Sequence, residues 1–278
     1  MPTFKGPAVT QLDIPAMPAS LVRLSRLLQV QEVNLTALAA LVESDMALAA
    51  AVMKAVGSAV TGLRGQVNSV QQALNFLGIR EVSAITYEVS MRAAFPPIVE
   101  LELLWARAAR RARLMKQLAQ GIGLEPHAAH AAGLFEECGK AVLFRHAPDH
   151  YRTMLRAAPE DLDLAVLERV GFGISHDELG AQLCEAWALS AEAASSVRHH
   201  LAVRRTGLLP APPEARDICA VSAIVWTLME QPEHLSVMVE RLAPQFGRDP
   251  ASVLQAAHAV LELAADADTP AATGPGEV

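Results

Sequence analysis

The chain has 278 residues, enough for one large or two small domains with a sizeable core, which excludes a short peptide or a disulfide-framed miniprotein. Its 23 Lys+Arg against 30 Asp+Glu leave a net charge of −7, so no bulk positive field draws it to a phosphate backbone or an anionic membrane, and a dedicated nucleic-acid binder is disfavoured. Hydrophobic residues make up 52% of the chain but aromatics only 4%, so the core must be built from Ala, Leu, Val and Met, and an all-α chain is expected.

The N-terminal stretch MPTFKGPAVTQLDIPAMP has no apolar leader, and the longest purely apolar run, Met46 to Met53, is far short of the roughly 20 residues of a membrane span. After Pro18, Leu21, Leu24, Leu27 and Leu28 are spaced for one face of a helix. Asn34 is placed as an N-cap for a helix carrying Leu35, Leu38, Leu41 and Val42; Asp45 caps the next, with Leu48, Ala51, Val52 and Ala55 inward. Gly57 and Gly62 bracket a break. Ser69 caps a helix with Val70, Ala73, Leu74 and Leu77, closed by Gly78, and another helix is expected from about Arg80 to Ala94. Pro96 and Pro97 mark an internal boundary, followed by an amphipathic helix from about Val99 to Gln120 that stops at Gly121.

Glu125-Pro126 opens the next helix, Pro148 ends the following stretch, and a helix covers about Glu160 to Val170 before Gly171 and Gly173. Ser175 to Glu178 reads S-x-x-E, a capping box. Further helices are expected over Ala191–Val203, Glu214–Met229, Glu233–Leu242 and Ala251–Ala265. The small, polar tail from Asp266 to Val278 is expected to be disordered. No segment alternates with period two. Cys138, Cys184 and Cys219 are odd in number and never form CxxC, which argues against a disulfide framework or a structural zinc and suits a reducing cytoplasm.

The nine histidines are the first place to look for a metal. His146 and His150 are four apart, but Pro148 interrupts a regular turn between them and no HExxH surrounds them. His127 and His130 near a helix start read as exposed neutral imidazoles. His199 and His200 diverge by about 100° on a helix, so at most one faces a shared inward site. Arg107, Arg110, Arg111, Arg113 and Lys116 form the one basic concentration, placed on a solvated helix face opposite Trp105, Ala108, Ala112, Met115 and Ala119, with no interleaved aromatics for base stacking. No P-loop, GxGxxG or GxSxG is present. Cys138, beside Glu136 and Glu137, reads as a buried inert thiol.

Several segments together resemble the HDOD family, the HD-related output domains of bacterial signalling proteins, over roughly Leu12 to Val203. The matching residues are Ile14-Pro15-Ala16-Met17-Pro18, Ser44-Asp45-Met46-Ala47-Leu48, Gly57-Ser58-Ala59 and, most specific, Val67 to Gly78 (VNSVQQALNFLG). In the second half Gly133 to Lys140 (GLFEECGK) resembles the Gly-Leu-Leu-His-Asp-Ile-Gly-Lys of HD hydrolases, and Gly173 to Ala181 (GISHDELGA), Trp187 and His199-His200 also fit the family pattern. The resemblance implies a multi-helix all-α fold in which an N-terminal bundle (1–95) packs on a degenerate HD-like bundle with extra helices (98–265). HD hydrolases hold metal with an early helix histidine, the His-Asp dyad and a later aspartate. Here the dyad is Glu136-Glu137, and the early position, aligned through Trp105, is Arg107, a permanent cation with no lone pair for a metal.

Arg107 is therefore expected to pair with Glu136 or Glu137 across a relict site, with His176, His199 and His200 retained as architecture. The implied function is non-catalytic: a cytoplasmic signalling module, without cofactor or membrane partner, that binds an unidentified protein through the surfaces of the two bundles and the groove between them. No sensory or DNA-binding segment is recognisable, so its signal is expected to arrive through association or expression. Two alternatives are a metal-dependent phosphohydrolase rebuilt around Glu136, Glu137, His176 and His199 or His200, and a nucleotide or nucleic-acid sensor using the Arg107 to Lys116 face.

Overall fold

The computed structural model describes residues 12–28, 34–59 and 67–268, and among these all regular structure is helical. Gly62 and the end of the expected tail, 269–278, lie outside the described residues. The N-terminal segment folds as α1 (Ala19–Leu28), α2 (Leu35–Glu43), α3 (Met46–Ala59) and α4 (Val70–Ala93). Local chemistry sets their starts: Asn34 accepts the N–H groups of Thr36 and Ala37, Asp45 those of Ala47 and Leu48, and Ser69 that of Gln72. Each side chain satisfies donors that a helix start leaves free. Gly78 has φ +79°, a conformation costly for any residue with a Cβ, and it kinks α4 into the two arms expected on either side of it.

Past Pro96-Pro97 come α5 (Val99–Gly121), α6 (Pro126–Phe135), α7 (Cys138–His146), α8 (Pro148–Ala157), α9 (Asp161–Phe172), α10 (His176–Ala186) and α11 (Ala191–Thr206). The chain closes with α12 (Pro213–Glu230), α13 (Leu235–Leu242) and α14 (Pro250–Asp268). The last helix therefore runs past Ala265 into residues expected to be disordered. Among the described residues no single helix is long and apolar enough to cross a membrane.

Two apolar cores result, and α5 and α6 belong to both. Leu101, Trp105, Ala108 and Ala112 of α5 join α1–α4, α7, α8 and α10 in one core; Leu114, Met115, Leu118 and Ala119 join α11–α14 in the other. Alanines on both α5 and α6 let their axes approach closely, which the Ala-rich composition permits. The first core spans the Pro96-Pro97 turn, and the Trp187 indole N–H donates to the Pro15 carbonyl at 2.9 Å, tying the start of the described chain to the end of α10.

At the crossing of α7 on α10 the two backbones meet closely. A Cβ built on Gly139 would overlap the carbonyl oxygen of His176 and lie 2.8 Å from the Gly180 nitrogen, so only glycine fits there. This crossing fixes where the residues on either side of Gly139 point. Cys138 and Cys184 are buried at the same crossing, and burial pushes the Cys138 thiol well above its usual range, as expected for an inert thiol.

Candidate functional site

Glu136 and Glu137 sit at the α6–α7 junction with both carboxylates buried, and the fold brings three cations to them from three different helices. Arg111 of α5 donates to Glu136 at 3.0 Å and also to Glu137. Lys140, one turn along α7, donates to Glu137 at 2.6 Å and to Asp161 of α9 at 2.5 Å. Arg204 of α11 donates to Asp161 at 3.1 Å and back to Glu136. The result is a closed ring of alternating charge, Arg111–Glu137–Lys140–Asp161–Arg204–Glu136, whose three positive and three negative groups cancel. Ser222 of α12 donates to the second oxygen of Glu136, so every oxygen of the three carboxylates has a donor.

The electrostatics follow from this wiring. Burial by itself would raise Glu136 and Glu137, but the guanidinium of Arg111 outweighs it, helped by Arg204 at Glu136 and by Lys140 at Glu137; both end below the usual carboxylate range, Glu137 well below. Asp161 is likewise lowered, its burial overcome chiefly by Lys140. Arg111 is raised, because Glu137 and Glu136 outweigh its desolvation, whereas desolvation prevails at Arg204 and lowers it.

Arg107 meets its expected partner only loosely: its side chain is 42% exposed, its ion pair with Glu137 is long at 3.9 Å and makes no hydrogen bond, and its closer pair, at 3.0 Å, is with Glu230 of α12. Arg111, expected on a solvated face, is 2% exposed and makes both dyad contacts. The periodicity contained the signal: Arg111 is three residues after Ala108 and four before Met115, both on the buried stripe. Arg110 and Arg113 are exposed as expected, while Lys116 pairs with Glu81. Lys140, Asp161, Arg204 and Ser222 were not among the candidate site residues. Of these Lys140, three residues after Glu137 and the last residue of the GLFEECGK match, and Arg204, four residues after His200 on the same helix face, carried a local hint.

His176 opens α10, where the Ser175 hydroxyl makes no cap bond and Glu178 pairs with Arg169, so the expected capping box does not form. Buried Glu168 of α9 takes its place, accepting the His176 backbone N–H and the ring Nδ1–H, each at 2.7 Å, and the Tyr151 hydroxyl at 2.5 Å. A full negative charge against a helix N-terminus suits the helix dipole better than a hydroxyl does. His200 faces inward with Nδ1 on the Val197 carbonyl at 2.7 Å, while His199 binds back to the Ser195 carbonyl at 2.8 Å, as the 100° divergence required. The rings of His176 and His200 are 5.5 Å apart, and the Nε2 atoms of both are buried and unpartnered. His146 and His150 lie on separate helices and both pack on Phe172. His130, expected to be exposed, is buried.

A divalent metal does not fit this donor set. The carboxylates that would complete a ligand sphere around His176 and His200 are occupied by three cations, and among the described residues no group of three or more His, Cys, Asp or Glu is arranged to hold an ion. Arg204, one of those cations, bears directly on His200: burial first, then this guanidinium, push the imidazole down to about 4.

Unfolded histidine titrates near 6.5, so between about pH 6.5 and 4 the unfolded chain takes a proton that folded His200 refuses. The stability tied to this group is therefore complete above about pH 6.5 and falls by on the order of 3 kcal/mol by pH 4. His130, also pushed down to about 4, adds a share of the same sign. Thermal melts at pH 7.5 and 4.5 should show a steep loss that His200→Gln makes shallower; parallel slopes would contradict this wiring. Beside the ring a cleft of about 590 Å³ opens between α9, α11 and α12, lined by Asp161 and Arg204 from the ring and by Arg107, Arg205, Trp226 and Glu230.

The sequence profile of the HDOD domain matches residues 14–203. An uncharacterized protein of Treponema pallidum is 26% identical over 192 residues, 68% of this chain and 37% of its own length, so this chain spans little more than a third of that relative. Among solved structures, a provisionally assigned phosphohydrolase from Shewanella amazonensis superposes with a TM-score of 0.71 at 17% identity, covering 91% of this chain and 92% of its own. An HDOD domain protein of unknown function from Geobacter sulfurreducens gives 0.68 at 20% identity, covering 92% and 93%. A provisionally assigned signal transduction protein from Marinobacter aquaeolei gives 0.70 at 23% identity, covering 92% and 59%. At these identities the likeness is one of fold.

Proposed function

The chain belongs to the HDOD domain family, and from that premise we propose that it is a non-catalytic regulatory module of bacterial signal transduction that acts by binding another protein. The observation that carries this reading is the closed ring of Arg111, Glu137, Lys140, Asp161, Arg204 and Glu136. It includes the dyad position at which HD hydrolases place metal ligands. A hydrolase of that kind needs carboxylate lone pairs free for a cation that activates water; here they are consumed by internal cations, and the ring acts as a structural core of the second half. Contact with a protein is supported by apolar side chains left in water: Leu162, Val166 and Val170 follow each other at four-residue intervals along one face of α9, and Val99 and Leu103 do so on α5. The sensor alternative loses three of its five cations, Arg111 to the ring, Arg107 to Glu230 and Lys116 to Glu81.

One observation favours the phosphohydrolase as a second reading: the unpartnered Nε2 atoms of His176 and His200, each held in one tautomer by the bond its Nδ1 makes. Elemental analysis of untagged protein after manganese, zinc and iron add-back, run beside hydrolysis assays on phosphomonoesters and phosphodiesters, separates the two. The expected result is far less than one metal per chain and no turnover. Near-stoichiometric metal with turnover would overturn the regulatory reading.

A further inference from the structure

Between α1, α4 and α6 lies a concavity of about 220 Å³ that takes no part in the ion ring. Its apolar walls are Leu28 at the end of α1, Ile79 and Ala84 of α4 and Ala131 of α6; His130 and Tyr87 are polar groups among them, and Ser83, His127 and the Arg80–Glu125 pair also line it. It therefore lies between helices from either side of the Pro96-Pro97 turn. His130 is about nine-tenths buried and Tyr87 partly so, and among the described residues no hydrogen bond is made by the His130 ring or the Tyr87 hydroxyl. A mostly apolar hollow with a few polar groups able to bond a ligand is the usual form of a small-molecule site. An apolar cavity of about 150 Å³ already accepts benzene, so this one has room for a ring with a polar substituent.

We propose that this pocket binds a small uncharged aromatic molecule of the phenol or indole class, its ring between Ile79, Ala84 and Ala131 and its O–H or N–H on the His130 imidazole. The charge requirement follows from the surroundings. The charges nearest the pocket are already paired, Arg80 with Glu125 at the mouth and Lys116 with Glu81 behind, so an ionised ligand would enter without a free counter-charge. Burial, reinforced by Lys116, keeps His130 neutral at physiological pH, so it offers one donor and one acceptor rather than a cation. Tyr87 packs edge-on against Phe135, the residue before Glu136, at 6.4 Å, so the pocket and the ion ring share α6. The assignment stands independently of the regulatory reading, since a bound aromatic is compatible with either result of the metal test.

The test uses the full chain, isotopically labelled at histidine nitrogens, titrated with indole and p-cresol and, as a probe without a hydrogen-bonding group, toluene. Expected are saturable shifts of the His130 ring nitrogens, with those of His146 and His258 unmoved, and dissociation constants for indole or p-cresol at or below about 1 mM. His130→Leu should weaken indole and p-cresol about fivefold and leave toluene unchanged. Ala131→Phe, which fills the hollow, should abolish all three. Absence of saturable binding, shifts at other histidines in place of His130, or full binding by an Ala131→Phe protein with an unchanged melt would each overturn the proposal; if that variant does not fold, the wild-type histidine shifts decide it.

Discussion

Replacing Arg111 by methionine is expected to cost about 3–5 kcal/mol of stability, a fall of about 10 °C or more in melting temperature for a chain of this size. The reason is asymmetric desolvation. Glu136 and Glu137 are already out of water, and among the described residues Arg111 is the cation that bonds to both; without it Glu137 keeps Lys140 and the more distant Arg107, and Glu136 keeps Arg204 and the Ser222 hydroxyl. Methionine fills much of the volume, so the loss measures charge rather than a cavity.

Arg107→Met is the matched control. Its pair with Glu230 is partly exposed and its distance to Glu137 is 3.9 Å, so about 1 kcal/mol or less is expected. Glu137→Gln in the Arg111→Met background should cost less than the two single effects added, because the second change removes a charge that the first left without its main partner. Equal effects of the two arginine variants, or a larger one at Arg107, would show that the ring is not where the electrostatic balance lies. Denaturant titration of the four variants beside the unaltered chain decides it.

Gly139→Ala should rank with the most damaging single-methyl additions in the chain, at about 3 kcal/mol or failure to accumulate folded protein. The added carbon has no flexible side chain to push aside; it meets the backbone of His176 and Gly180, so α7 and α10 must separate. Such a movement would shift Lys140 on one side of the crossing and His176 on the other, loosening the ring and the Glu168–His176 contact together. Two other glycines calibrate the claim. Gly180→Ala meets the Val197 side chain at 3.0 Å and, at 3.3 Å each, the Cys138 sulfur and the Gly139 backbone nitrogen, none of them an overlap as severe as at Gly139, so about 1–2 kcal/mol is expected. Gly123→Ala has open space and pays only for its φ of +72°, about 1 kcal/mol. The order of the three losses is the test: a Gly139→Ala protein as stable as Gly123→Ala would refute backbone contact at the crossing.

Helix boundaries were legible wherever their chemistry is local. Asn34, Asp45 and Ser69 cap as read, and Gly173, in the left-handed conformation, ends α9 as its position suggested. Ser175 is the instructive exception: its motif was right for a capping box, but Glu168, seven residues upstream and buried beside it, is a stronger acceptor, and a local rule cannot see a competitor that only the fold brings near. His130 and Arg111 fail for a related reason. Both are polar residues on Ala-rich helices, where small neighbours leave the apolar stripe too weakly marked to show which of them points inward.

By itself the sequence determined the all-α class, the capped helix starts, the family and the replacement of the dyad by Glu136-Glu137, because these depend on residue type and short spacing. The tertiary structure alone decided which arginine faces that dyad, and that Lys140, Asp161 and Arg204 complete a neutral ring. Arg111 and Arg204 converge on Glu136 from helices widely separated along the chain. Coulomb energy between buried charges is set by distance in space and by exclusion of water, and neither quantity is carried by position along the chain.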